Sequence, residues 1–155
     1  MKSLIILLSC AAAAMMASGC GDKSRAAAQP EGALSISSGD VDLAWGPCPP
    51  IFPSGCEIAV LHGDPAGSNA DIFLRVPAGY EIPPHSHTSA ERMILVTGQL
   101  TVSYLGQAPA TLSIGDYAFG PATKPHKAVC ESDAPCTLFI AFESPVDANA
   151  YSGDL

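Results

Sequence analysis

From Asp40 to Phe142 the chain never sustains the 3.6-residue apolar period of an amphipathic helix; turn formers cut it into short β-favouring runs. These runs are Glu57–His62, Asp71–Val76, Met93–Thr97, Leu100–Leu105, Thr111–Ile114, Tyr117–Phe119, Lys127–Cys130 and Thr137–Phe142. Between them stand Gly63-Asp64-Pro65, Pro77-Ala78-Gly79, Thr97-Gly98-Gln99, Gly106-Gln107, Gly115-Asp116 and Ala134-Pro135. Such turns at such spacing predict an all-β sandwich or barrel with few or no helices. Met93–Val96 and Leu138–Phe142 are apolar on both faces, as in a sheet covered on both sides or in a dimer. The chain has no internal repeat, no glycine-rich phosphate loop and no nucleophile elbow.

The polar residues with chemistry to offer cluster in two runs. Gly79 to Gly98 reads Gly-x5-His-x-His-x3-Glu-x6-Gly, with His85, His87 and Glu91 inside it. Gly115 to His126 reads Gly-x5-Pro-x4-His. Side chains alternate faces along a strand, so His85 and His87 point the same way and can grip one ion. Glu91 keeps that parity if the chain stays extended through Thr88-Ser89-Ala90. His126 is expected from a strand facing the first one, and Pro83-Pro84 stiffens the approach to His85. Three imidazoles and a carboxylate suit one divalent transition-metal ion: Fe, Mn, Zn, Ni or Cu.

In these two runs the chain resembles the cupin family. The first motif is met at Gly79, His85, His87, Glu91 and Gly98, and the second at Gly115, Pro121 and His126. The second departs at Thr123, usually Gly, and at Cys130, usually Asn. The resemblance covers roughly Val41 to Phe142, and the Trp45-Gly46-Pro47 and Leu61 to Pro65 segments look like those of small bacterial single-domain cupins. It implies a single-domain jelly-roll barrel with the metal inside, held by His85, His87, Glu91 and His126. It also implies two kinds of metal-dependent chemistry, oxygenation and isomerisation, in which Glu91 is the ligand able to detach and serve as a catalytic base. Family habit implies a homodimer.

The N-terminus reads as a targeting segment: Lys2 precedes an almost continuous apolar run from Leu4 to Ala17, shorter than a spanning helix. Ala17-Ser18-Gly19-Cys20 resembles a bacterial lipobox, with Cys20 as the lipidated residue, although Leu is usual at the Ala17 position. The expected organisation is a signal peptide over 1–19, a lipidated Cys20 and flexible tether over 20–39, a barrel over 40–148 and a tail over 149–155. The protein is then an exported lipoprotein on the periplasmic face of a membrane, or soluble in the periplasm if cleaved conventionally. Lys2 apart, six basic residues stand against fifteen acidic ones with no basic cluster. Nucleic acid is therefore excluded as a partner, and membrane attachment rests on the lipid alone.

Export favours disulfides among Cys48, Cys56, Cys130 and Cys136. Four cysteines allow three connectivities, of which the local pairs Cys48–Cys56 and Cys130–Cys136 are expected. Tyr80, Tyr104, Tyr117, Phe119 and Trp45 are candidates to line a pocket, with core packing as the default for each. His62, Lys124, Lys127 and Arg92 read as surface or salt-bridge residues. Two classes of function stay open: a metal-dependent enzyme acting on a small molecule, and a module that binds a small molecule or metal without turnover.

Overall fold

The computed structural model describes residues 32–155, and in it the turn formers separate eleven strands with no helix among the described residues. In chain order these are β1 (Gly46–Pro47), β2 (Glu57–His62), β3 (Ala70–Val76), β4 (Glu81–Ser86), β5 (Glu91–Thr97), β6 (Leu100–Tyr104), β7 (Ala110–Leu112), β8 (Tyr117–Gly120), β9 (His126–Cys130), β10 (Cys136–Phe142) and β11 (Asn149–Ala150). They build one compact unit running from Ser35 to Leu155. The signal peptide, Cys20 and the first part of the tether lie outside the described residues. Ser35 to Gly39, expected in the tether, belong to the folded unit.

Two antiparallel sheets result, ordered β1-β2-β3-β10-β5-β8 and β11-β4-β9-β6-β7. From β3 onward the chain crosses from one sheet to the other at every connection except the β6–β7 hairpin. This is the expected jelly-roll type of all-β barrel. Its interior is filled by Ile72, Val76, Leu95, Leu100 and Leu138, all but fully buried. Each such aliphatic side chain contributes about 1.5–3 kcal/mol relative to exposure.

Three strands escaped the sequence pattern, the first being the two-residue β1, which pairs with β2 through Gly46–Ile58 and Pro47–Glu57. β4 holds Pro83 and Pro84, whose missing N–H groups argue against a strand. The register shows how they are accommodated. Ile82 pairs with Ala128 and His85 with His126, so both prolines oppose Lys127 alone in a β-bulge. The third is β11, assigned by sequence to a tail, which pairs with β4 through Asn149–Ser86 and Ala150–His85.

Both expected disulfides are present, Cys48–Cys56 with Cα atoms 5.4 Å apart and Cys130–Cys136 with 5.8 Å. The second does not cross a hairpin. Cys130 ends β9 in one sheet and Cys136 opens β10 in the other, so the bond staples the two layers. Gly98 lies against this staple with φ at +84°, where a Cβ would come within 2.8 Å of Cys136 Sγ and of Ser132 Oγ. Only glycine fits there.

Candidate metal centre

The three histidines converge from one sheet. His85 and His126 are direct partners on β4 and β9, so His126 comes from the neighbouring strand of the same sheet. Because of the proline bulge, Ile82 and His85 both point inward although they are three residues apart. His87 follows the end of β4. There the chain turns through Thr88-Ser89-Ala90 and enters the opposite sheet at Glu91, the first residue of β5. Glu91 thus reaches the histidines from across the barrel, not by extended-chain parity. The turn is pinned by Ser89, whose Oγ accepts the amides of Glu143 at 3.0 Å and Ser144 at 3.1 Å.

Each histidine is oriented by its second ring nitrogen. Nδ1 of His85 meets the carbonyl of Pro83 at 2.8 Å, Nδ1 of His126 that of Lys124 at 3.1 Å, and Nδ1 of His87 the carbonyl of Asp147. A carbonyl only accepts, so all three rings carry their proton on Nδ1 and present a bare Nε2. The ligand atoms of His85, His87 and His126 lie within 4.8 Å of one another. The Glu91 carboxylate completes the cluster, 3.4 Å from His87 Nε2 and 3.2 Å from His126 Nε2. Tyr104 donates to Glu91 Oε1 at 3.4 Å.

Burial sets the charges. His85 is 4% and Glu91 3% exposed. Desolvation, reinforced by His126 and His87, holds His85 down at about 3; desolvation likewise holds His126 at about 4 and lowers His87. The imidazoles are therefore neutral at pH 7, the form that binds metal. Burial pushes Glu91 up to about 7 against the opposing hydrogen bond from Tyr104, and raises the Tyr104 hydroxyl. Three neutral nitrogens and a carboxylate gathered in an apolar wall fit a divalent transition metal.

The cluster stands at one side of a cavity of about 60 Å³ inside the barrel. Apart from Asp147 its other walls are apolar and include Phe52, Ile72, Leu74, Met93, Leu138 and Phe142. Of the aromatic residues proposed from sequence, Tyr104 stands against the site, its ring 5.1 Å from that of His126. Tyr80 is buried away from the cavity and donates to the Pro53 carbonyl at 2.6 Å. Tyr117 and Phe119 do not line the cavity; they are 57% and 49% exposed on β8, the last strand of its sheet. Trp45 lies under the Arg75 guanidinium at 4.0 Å, and Arg75 in turn pairs with Glu57 at 2.7 Å. Arg92 faces outward to Glu143 at 2.6 Å, and Lys127 donates to the Leu155 carbonyl at 3.1 Å. Cys130 is spent in its disulfide.

Sequence reasoning missed Phe52, Asp147 and Gly120. Phe52 packs edge-on against His85 with ring centroids 5.0 Å apart. Asp147 adds to its carbonyl contact a carboxylate that accepts from the Thr88 amide at 2.8 Å and hydroxyl at 2.5 Å. Gly120 pairs with Glu91, and a Cβ there would meet Glu91 Oε1 at 2.5 Å and the Tyr104 hydroxyl at 2.9 Å. Only the position of Gly120 just before the motif proline hinted at such a role.

Comparison with known proteins fits this geometry. Residues 72–142 match the cupin domain family, and the chain carries a small cupin domain. The DMSP lyase DddQ from Ruegeria pomeroyi DSS-3 is similar in structure, with TM-score 0.60 and 21% identity over 72% of this chain and 64% of that one. An RmlC-like cupin from Shewanella frigidimarina NCIMB 400 gives 0.58 and 22% over 74% and 93%. An oxalate oxidase gives 0.55 and 15% over 68% and 59%. At such identities the likeness is one of fold. The chain spans 63% and 64% of the length of the DMSP lyase chains it matches. No curated protein matches it in sequence.

Proposed function

We propose that this chain is an exported cupin that holds one divalent transition-metal ion on His85, His87, Glu91 and His126, and binds or acts on a small molecule there. One observation carries the reading: three buried histidines each spend Nδ1 on a backbone carbonyl and turn Nε2 to a common point beside a carboxylate. Backbone anchoring of the far nitrogen fixes ring and tautomer before an ion arrives. A bound ion would supply Lewis-acid or oxygen-activating chemistry, with positions left open for a ligand. The protein's own part is to exclude water, orient the ligand against apolar walls and supply Glu91 as the carboxylate beside the three imidazoles. DMSP lyase and oxalate oxidase, both named for reactions of small molecules, share the fold and support a small-molecule ligand.

The second reading is a binding module without turnover. In its favour, no acid or base lining the cavity among the described residues is free of another duty: the Asp147 carboxylate holds Thr88, and Glu91 is a ligand. The leader over 1–19 would direct export, and a lipid on Cys20 would tether the domain to the periplasmic face of a membrane.

Elemental analysis of the domain purified from its native envelope tests the site. About one Fe, Cu or Ni per chain favours oxygen chemistry, and about one Zn or Mn favours isomerisation or binding. Full metal retention in His87→Ala would place the ion elsewhere. Release of Cys20→Ser from membranes, with wild type retained, is the expected result for the anchor.

A further inference from the structure

The residues that line the cavity beside the four metal-site side chains constrain the ligand. Among the described residues that line the cavity, Asp147 is the one polar residue besides His85, His87, His126 and Glu91, and its carboxylate is already engaged by Thr88 and Asn149. Among the described residues that line it there is no Lys, Arg, Ser, Thr, Asn or Gln. A second charged end on a ligand would therefore be desolvated with no partner, at a cost of several kcal/mol. The Asp147 carboxylate adds repulsion for a second anionic group.

Phe52 is the aromatic side chain of this lining that stands directly against a metal-site histidine other than His87. It sits within the loop closed by the Cys48–Cys56 disulfide, packed against the core and edge-on to His85. That loop is held by the Cys48 amide on the Cys56 carbonyl at 3.1 Å and by the Tyr80 hydroxyl on the Pro53 carbonyl at 2.6 Å. So anchored, Phe52 is a fixed wall.

We infer that the ligand is a small molecule with one metal-chelating polar head and a short apolar body, and that Phe52 sets how long the body can be. This deepens the metal-site reading and rests on it. Dicarboxylates and polyhydroxylated compounds are disfavoured, because each would bury polar groups against Ile72, Leu74, Met93 and Leu138.

The test holds the head constant and varies the tail. The domain is loaded with Co(II), and its visible absorption is followed while acetohydroxamate, propionohydroxamate, butyrohydroxamate and succinic acid monohydroxamate are titrated in. Affinity should climb about three- to fourfold per methylene until the cavity is full. Butyrohydroxamate should bind at least tenfold more tightly than succinic acid monohydroxamate, which has a similar length but a charged end. Phe52→Ala should extend the climb to longer chains, and Phe52→Arg should reverse the preference toward the charged tail. Equal or tighter binding of the charged tail to wild type would overturn the inference while leaving the metal site standing. Unaltered tail preference in both Phe52 variants would remove Phe52 from it. Failure to take up Co(II) at all would sink the metal reading and this inference together.

Discussion

The two sides of the centre are built on different principles. The histidine side belongs to one sheet and is anchored at every ring, two rings on carbonyls two residues back and the third on Asp147 sixty residues away. The carboxylate side is one residue from the other sheet, with a long 3.4 Å hydrogen bond from Tyr104 and a clearance that exists because residue 120 has no side chain. One side offers anchored, neutral donors; the other is a buried acid whose protonated form is favoured by desolvation in the metal-free site. The histidine half is fixed by its backbone contacts, while the carboxylate half depends on burial and on the space left at Gly120.

Breaking the rigid half should have the largest effect. His126→Ala or His87→Ala is expected to weaken metal binding at least a hundredfold, read by competition with a chelator, with the β circular dichroism retained. Gly120→Ala comes next. Its Cβ meets the Glu91 carboxylate and the Tyr104 hydroxyl first, so metal affinity should drop about tenfold or more while His Nδ1 resonances keep their backbone hydrogen-bond signature.

Glu91→Gln separates stability from binding. In the metal-free protein, the raised Glu91 pKa favours folding at low pH, and that contribution is lost as pH rises from about 4.5 through about 7. The variant should therefore be more stable than wild type at pH 8, by on the order of 1–3 kcal/mol in urea unfolding, with the gap closing toward pH 4. The histidines act in the opposite sense. Their depressed values make metal-free wild type lose stability as pH falls below about 6.5, where the unfolded chain gains protons that the fold refuses. A gap between the two proteins that did not change with pH would mean Glu91 is not desolvated as described.

The smallest effect is expected at Thr123. It adopts φ of 61°, a left-handed conformation costly for a β-branched residue, while its amide donates to the His87 carbonyl at 2.8 Å. Thr123→Gly should leave metal affinity nearly unchanged and raise stability by about 0.5–1 kcal/mol, the strain relieved less the entropy of glycine. A large loss of affinity instead would show that the strained turn positions His87.

The amino-acid order specified whatever depends on near neighbours. His85 and His87 share a face because strand side chains alternate, and both disulfides join cysteines a few residues apart. The turn formers marked most strands, and the two motifs marked the three clustered histidines and the neighbouring Glu91. Long-range folding settled the rest. Glu91 serves the site through a change of sheet at Thr88–Ala90, and spacing along a chain does not encode where it crosses a barrel. β4 was hidden because Pro83 and Pro84 read as breakers until β9 supplied a bulge to absorb them. Phe52, Asp147 and Gly120 matter through contacts with residues 29 to 60 positions away, and Tyr117 and Phe119 proved exposed because β8 ends its sheet. Local stereochemistry chose which groups could bind an ion; closure of the two sheets on each other chose what surrounds it.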